Sequence, residues 1–124
     1  MNETDNRLIT DKVRSTLLNY PLYSQDGKKK DAVCNIIFHL GNIAWYIMEG
    51  QQEGNDFTFY GIVAGLIETE YGYFSAKEMA DIEYDASAHG LGKLQIAPVE
   101  GFCPTELGKI ADPRLQEFLS RLYD

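Results

Sequence analysis

Between residues 33 and 48 the apolar side chains recur with a period of two, interrupted once by Gly41-Asn42. Val33–Leu40 places Cys34, Ile36, Phe38 and Leu40 on one side and Val33, Asn35, Ile37 and His39 on the other, the pattern of a strand with one strongly apolar face. Gly41-Asn42 suits a two-residue turn, because glycine takes up positive φ without a steric cost. Ile43–Met48, rich in Trp, Tyr and Ile, then resumes the strand pattern. The chain is thereby committed to an antiparallel hairpin.

The remaining elements are read outward from it. Glu49–Asp56, with Gly50 and Gly54, reads as a polar connection, and Phe57–Val63 as a third, aromatic-rich strand. Tyr71–Phe74 is a fourth short strand with a bend at Gly72. Upstream, Thr10–Tyr20 predicts a helix capped by Thr10, with Val13, Leu17 and Leu18 on one face and Pro21 ending it. Ser24–Asp31 reads as a solvated loop. Ser75-Ala76-Lys77-Glu78 is a capping box, in which Ser75 takes the Glu78 amide and Glu78 reaches back. The short helix it opens turns Met79 and Ile82 to the core and Asp81, Glu83 and Asp85 to water. His89–Gly92 is a loop, Lys93–Ile96 a brief strand closed by Pro98, and Thr105–Leu107 one helical turn. Asp112 as cap, Pro113, and Leu115, Phe118, Leu119 and Leu122 at helical spacing predict a C-terminal amphipathic helix. The fold class expected is α+β: a meander of about four or five antiparallel strands, covered on one face by the N- and C-terminal helices.

At 124 residues the chain makes a single domain spanning 1–124, long enough to bury a core without a disulfide or metal staple. No apolar run approaches the roughly 18 residues that cross a bilayer, and the polar start Met1–Asp5 is unlike a signal peptide; the expectation is a cytoplasmic protein with no membrane contact. The net charge of −8 opposes direct nucleic-acid binding. That charge is local: residues 46–91 carry nine acidic groups and one basic, whereas residues 1–45 carry five and six. Cys34 and Cys103 have neither metal-ligand nor redox spacing, so reduced, mostly buried thiols are expected, with no metal and no cofactor.

Three stretches, Gly41–Glu49, Asp56–Gly65 and Glu70–Met79, carry a Trp-Tyr pair with a following Glu, an aromatic pair before Gly, and Glu-Tyr-Gly-Tyr-Phe-Ser. In order and spacing they resemble an uncharacterised bacterial family, domain of unknown function 2958, over residues 20–110. The resemblance implies a small cytoplasmic protein of the kind carried by mobile elements, and it implies no catalytic residue. Tyr71 stands where the family usually has Leu.

Candidate chemistry is sparse. Glu68 and Glu70 would share a strand face, where two carboxylates form an acid/base pair or a cation site; a solvated face is the alternative. His89, four residues after Asp85, is placed for proton transfer or is simply an exposed loop residue. His39, Cys34 and Ser75 are best read as structural, and Gly61-x-x-x-Gly65 lacks the features of a phosphate loop. The aromatic set is the anomaly. If Trp45 and Phe59 face inward, alternation turns Tyr46 and Tyr60 outward, beside Tyr73 and the acidic third, and an exposed patch of this kind marks a partner surface unless helices cover both faces. The leading function is a non-enzymatic accessory protein that binds a protein partner through Tyr46, Tyr60, Glu68, Glu70, Tyr73, Asp85 and His89. One form of it has the carboxylates imitating DNA phosphates. The alternative is a small-ligand binder or hydrolase using Glu68, Glu70 and His89. The sequence leaves the oligomeric state open.

Overall fold

The computed structural model describes residues 6–124, so the polar start Met1–Asp5 lies outside the described residues. Helix α1 (Asp11–Leu17) is followed by strands β1 (Val33–Cys34), β2 (Ile36–Leu40), β3 (Ile43–Glu53), β4 (Asp56–Ala64) and β5 (Glu70–Ser75). Helix α2 (Ala76–Asp81), strands β6 (Glu83–Asp85), β7 (Lys93–Gln95), β8 (Ala97–Pro98) and β9 (Thr105–Glu106), and helix α3 (Pro113–Tyr123) complete the chain. The expected α+β class is found. A five-stranded antiparallel sheet runs β5-β4-β3-β2-β8, so β2 to β5 form the meander, and β1–β9 and β6–β7 make separate two-stranded ladders.

The hairpin of β2 and β3 pairs Leu40 with Ile43 around Gly41 at φ +58. Asn42 stays outside the positive-φ region, so only the first turn position has the glycine conformation, as a type II′ turn requires. The single strand expected over Val33–Leu40 is divided at Asn35. The Asn35 Nδ2 donates to the Met48 carbonyl (2.7 Å), and β1 leaves the hairpin to pair with β9. The break shifts the alternation, so Cys34 and Phe38 enter cores on opposite sides of the sheet.

Both sheet faces are buried. Phe38, Trp45, Ile47, Phe57 and Phe59 pack with Leu8, Val13 and Leu17 at the N-terminus and Ala76 and Met79 of α2. On the other face Tyr46, Met48, Ile62 and Ala64 pack with Leu107 and with Leu115, Phe118 and Leu119 of α3. The terminal helices therefore lie on opposite faces, not on one, because β3 and β4 carry apolar side chains on both sides and each side needs a cover.

Capping residues fix where the helices begin, and their ends explain three displaced side chains. Thr10 Oγ1 accepts the Val13 amide (3.2 Å), but α1 stops at Leu17 and leaves Leu18 exposed. Ser75 Oγ accepts the Glu78 amide (3.2 Å) as expected, and the helix start is held further not by Glu78 but by Asp56, whose carboxylate accepts from the Ser75 hydroxyl and the Lys77 amide. Helix α2 ends before Ile82, whose extended backbone turns it toward solvent. Leu122 is also exposed, since Leu115, Phe118 and Leu119 already fill the buried face of α3. Thr105–Leu107 is a short strand leading into a 3-10 turn at Leu107–Lys109 rather than a helical turn. Lys93–Gln95 is a strand as read, and Pro98 sits on the sheet edge, where a missing amide is tolerated.

Asp112 ties α3 to the sheet. Its Oδ1 accepts the Arg114 amide (2.9 Å), and its Oδ2 accepts from the Tyr46 hydroxyl and the Arg114 guanidinium. Burial pushes this carboxyl up, but the hydrogen bonds from Arg114 and Tyr46 outweigh it and hold the pKa below its ordinary value. A depressed folded-state pKa contributes stability at neutral pH that is lost as pH falls through that pKa. Asp112→Ala is expected to cost about 1–2 kcal/mol at pH 7 as a lost cap. The deficit, followed by urea unfolding, begins to shrink below about pH 4, where the unfolded-state carboxyl takes up its proton, and goes on shrinking until the pH has passed the depressed folded-state value. An undiminished deficit at acid pH would show that the ionised carboxylate is not what holds the cap.

Candidate functional site

The site begins with one extra residue in β3. The β3–β4 register pairs Ile47 with Gly61 and then Glu49 with Tyr60, so Met48 is a bulge. Without it, alternation would turn Glu49 onto the Phe38–Phe59 face. The bulge reverses the parity and turns Glu49 to the same face as Tyr60, which is a recurrent use of bulges.

Glu49 is only 1% exposed. Its Oε1 accepts the Tyr23 amide (2.7 Å) and its Oε2 the Gln25 amide (2.8 Å), so the carboxylate folds the segment after Pro21 over the sheet. Gln25, also buried, completes the clamp by donating to the Val33 and Met48 carbonyls and accepting the Val33 amide. The expected solvated loop over Ser24–Asp31 is thus anchored at Gln25, and the expected polar connection at Glu49 is strand, with the turn displaced to Gly54-Asn55. Among the described residues, no Lys or Arg forms an ion pair with Glu49.

Above Glu49 the tyrosines converge. Tyr60 and Tyr71 stack with ring centroids 5.7 Å apart and planes 5° from parallel, and Tyr60 lies 4.8 Å from Tyr73. Tyr71 packs edge-on against Phe118 (5.4 Å), and its hydroxyl shares a 2.7 Å hydrogen bond with that of Tyr123. Tyr73 reaches Tyr23 (6.5 Å), and both are more than half exposed. Gln25, Asp26, Gly27, Lys29, Met48, Glu49, Tyr60, Tyr71 and Tyr123 enclose a cleft of about 110 Å³. Burial raises the Tyr60 phenol above its ordinary pKa, and the negative charge of Glu49 raises it further. The Tyr71 phenol is raised by burial and by its bond to Tyr123. Both stay neutral near pH 7, so the cleft presents phenol groups and a carboxylate.

Of the residues singled out in the sequence, Tyr60 and Tyr73 meet in this cluster. Tyr46 does face away from Trp45, but α3 covers it and its hydroxyl is bound to Asp112, so it is no surface residue. Glu70 is exposed at the start of β5, while Glu68 lies in the preceding bend, so the two do not share a strand face. Asp85, exposed in β6, accepts the Ser87 amide (2.9 Å), and hydrogen bonding by Ser87 lowers its pKa. His89 ends the following 3-10 turn, also exposed. None of Glu68, Glu70, Asp85 and His89 lines the tyrosine cleft or either of two others, about 240 Å³ beside α1 and the Pro98–Pro104 segment and about 350 Å³ around Leu17, Pro21 and Phe57.

Burial pushes the Cys34 thiol up to about 12, which leaves no nucleophilic thiolate near neutrality. Cys103 is free and exposed, contrary to the expectation of mostly buried thiols, because it lies on the surface loop before Pro104. No group of three or more metal-ligating side chains occurs among the described residues. No helix among the described residues is long and apolar enough to cross a membrane.

Sequence reasoning missed Glu49, Tyr23, Gln25 and Tyr123. One usable signal was Gly50: a Cβ there would lie 2.7 Å from the Phe57 ring, and glycine inside a strand-like run is a mark of a bulge or a close approach. Comparison with known proteins found no matching family model, no matching curated protein and no matching solved structure. The similarity to the family of unknown function rests on the quoted residues alone.

Proposed function

We propose that the protein is a non-enzymatic binding protein whose working surface is the tyrosine cluster of Tyr23, Tyr60, Tyr71, Tyr73 and Tyr123 together with Glu49. The observation that carries this reading is positional. Helix α3 covers its sheet face as far as the level of Ile62 and Tyr71, and beyond it Tyr60 and Tyr73 continue onto the surface. Tyrosine is favoured at recognition surfaces because a rigid ring supplies contact area and its hydroxyl a hydrogen bond. The exposed carboxylates of Glu68 and Glu70 lie at the other end of β5 from Tyr73, with Glu70 on the Phe74 face, so they are no part of this surface. A small hydrolase is the weaker reading, since its three residues line none of the described clefts.

The test is capture of host-lysate proteins on the wild-type chain and on Tyr73→Ala, at low and high salt. Tyr73 is half-exposed at an edge strand, so its truncation leaves the core intact. A specific partner retained by wild type is expected to fall at least about tenfold on the variant, as for a hot-spot tyrosine. A partner held equally by both proteins would refute the assignment of this surface. Retention that collapses with salt and is confined to DNA-handling proteins would favour phosphate imitation by the carboxylates.

A further inference from the structure

Deepening that reading, we infer that the cleft over Glu49 takes the guanidinium of a partner's arginine side chain, and that Lys29 holds part of that place in the free protein. Size sets the class of occupant. Drug-sized ligands occupy clefts of roughly 300 Å³ and more, so about 110 Å³ admits the end of one side chain and excludes a nucleotide or a peptide backbone.

Chemistry then selects the charge. The cleft is lined by Tyr60, Tyr71 and Tyr123, with the buried Glu49 carboxylate and the exposed Asp26. Aromatic faces attract cations, and a carboxylate with no basic partner beneath them adds to the attraction in a partly dehydrated site. Both Glu49 oxygens are already held by backbone amides, so the carboxylate is fixed in place before any ligand arrives. Of the two side-chain cations, guanidinium is the less strongly hydrated and the one that lies flat against aromatic rings while donating several hydrogen bonds.

The chain itself supplies a trace of the same recognition. Lys29 lines the cleft, and its Nζ stands 6.0 Å from the centre of the Tyr123 ring. Its backbone is in the left-handed region (φ +56), as is that of Tyr23 on the same segment (φ +74). These are the only two non-glycine residues with positive φ among the described residues, and such conformations persist where surrounding structure enforces them and often border functional sites. A partner's arginine would enter against Lys29, displacing its ammonium from the ring.

The test is a ¹H–¹⁵N NMR titration of the wild-type protein with N-acetyl-arginine amide, its lysine analogue, and the uncharged isostere N-acetyl-citrulline amide. Arginine is expected to shift the Tyr23 and Gln25 amides, which report on Glu49, with millimolar affinity. Lysine should bind more weakly and citrulline not at all. Lys29→Gln is expected to tighten arginine binding about threefold by removing one like charge at the rim. Equal shifts from citrulline, or none from arginine at tens of millimolar, would overturn the inference whatever the variant does. A partner that still depends on Tyr73 while arginine has no effect would leave the binding surface standing and refute only this occupant.

Discussion

Gly61→Ala is expected to destabilise the protein by about 3 kcal/mol, in the upper range for overpacking, lowering the melting temperature by about 10 °C for a domain of this size. Gly61 lies in β4 between β3 and β5, opposite Ile47 where the bulge begins. A Cβ placed there would lie 2.0 Å from the Tyr46 carbonyl oxygen, 2.9 Å from its carbon and 3.0 Å from the Ile47 Cα. All three atoms are backbone, so no rotamer change relieves the contact, and the strands must separate at the centre of the sheet. Gly54→Ala is the control. It forces alanine into φ +61 with nothing within 4 Å of the new carbon, which costs only the left-handed strain of about 1–2 kcal/mol. Thermal unfolding followed by circular dichroism orders the two. Should Gly61→Ala melt at or above Gly54→Ala, close backbone approach at the bulge is not what requires glycine there.

That glycine also shows how far the sequence could be read. Periodicity located β2, β3, β4 and β5, their meander order, and the caps Thr10, Ser75 and Asp112, because each depends on residues near one another in the chain. The bulge at Met48 is different in kind. Local pattern places Glu49 at the start of a polar connection, since a carboxylate is seldom buried. What makes its burial tolerable is a pair of amides more than twenty residues upstream, Tyr23 and Gln25, which no window of alternation contains. The same holds for Tyr46, whose outward direction was legible but whose partner, the α3 cap Asp112, comes 66 residues later. Tyr60, Tyr71 and Tyr73 were therefore visible as an aromatic excess on β4 and β5, and the carboxylate beneath them was not.

Glu49→Ala is the substitution expected to do most damage to the site and among the most to the fold. It deprives the Tyr23 and Gln25 amides of their acceptors in a place where Gln25 is 2% exposed. At about 1–3 kcal/mol for each donor left unmet, the loss is about 3 kcal/mol or more. Glu49→Gln keeps one acceptor but turns an amide NH₂ toward the other backbone donor, so it is expected to fall between wild type and alanine. The damage should be uneven. The 21–28 segment is held by this clamp, whereas β3 and β4 keep their ladder and both apolar faces. Hydrogen exchange is accordingly expected to speed up first at Tyr23, Gln25 and the Gln25-bound amide of Val33 in Glu49→Gln, with amides of β4 still protected. Uniform loss of protection across sheet and segment would mean that Glu49 is simply part of the global core. Selective loss, accompanied by loss of the arginine response, would tie the anchoring of the segment and the electrostatics of the cleft to one carboxylate, placed there by one inserted residue.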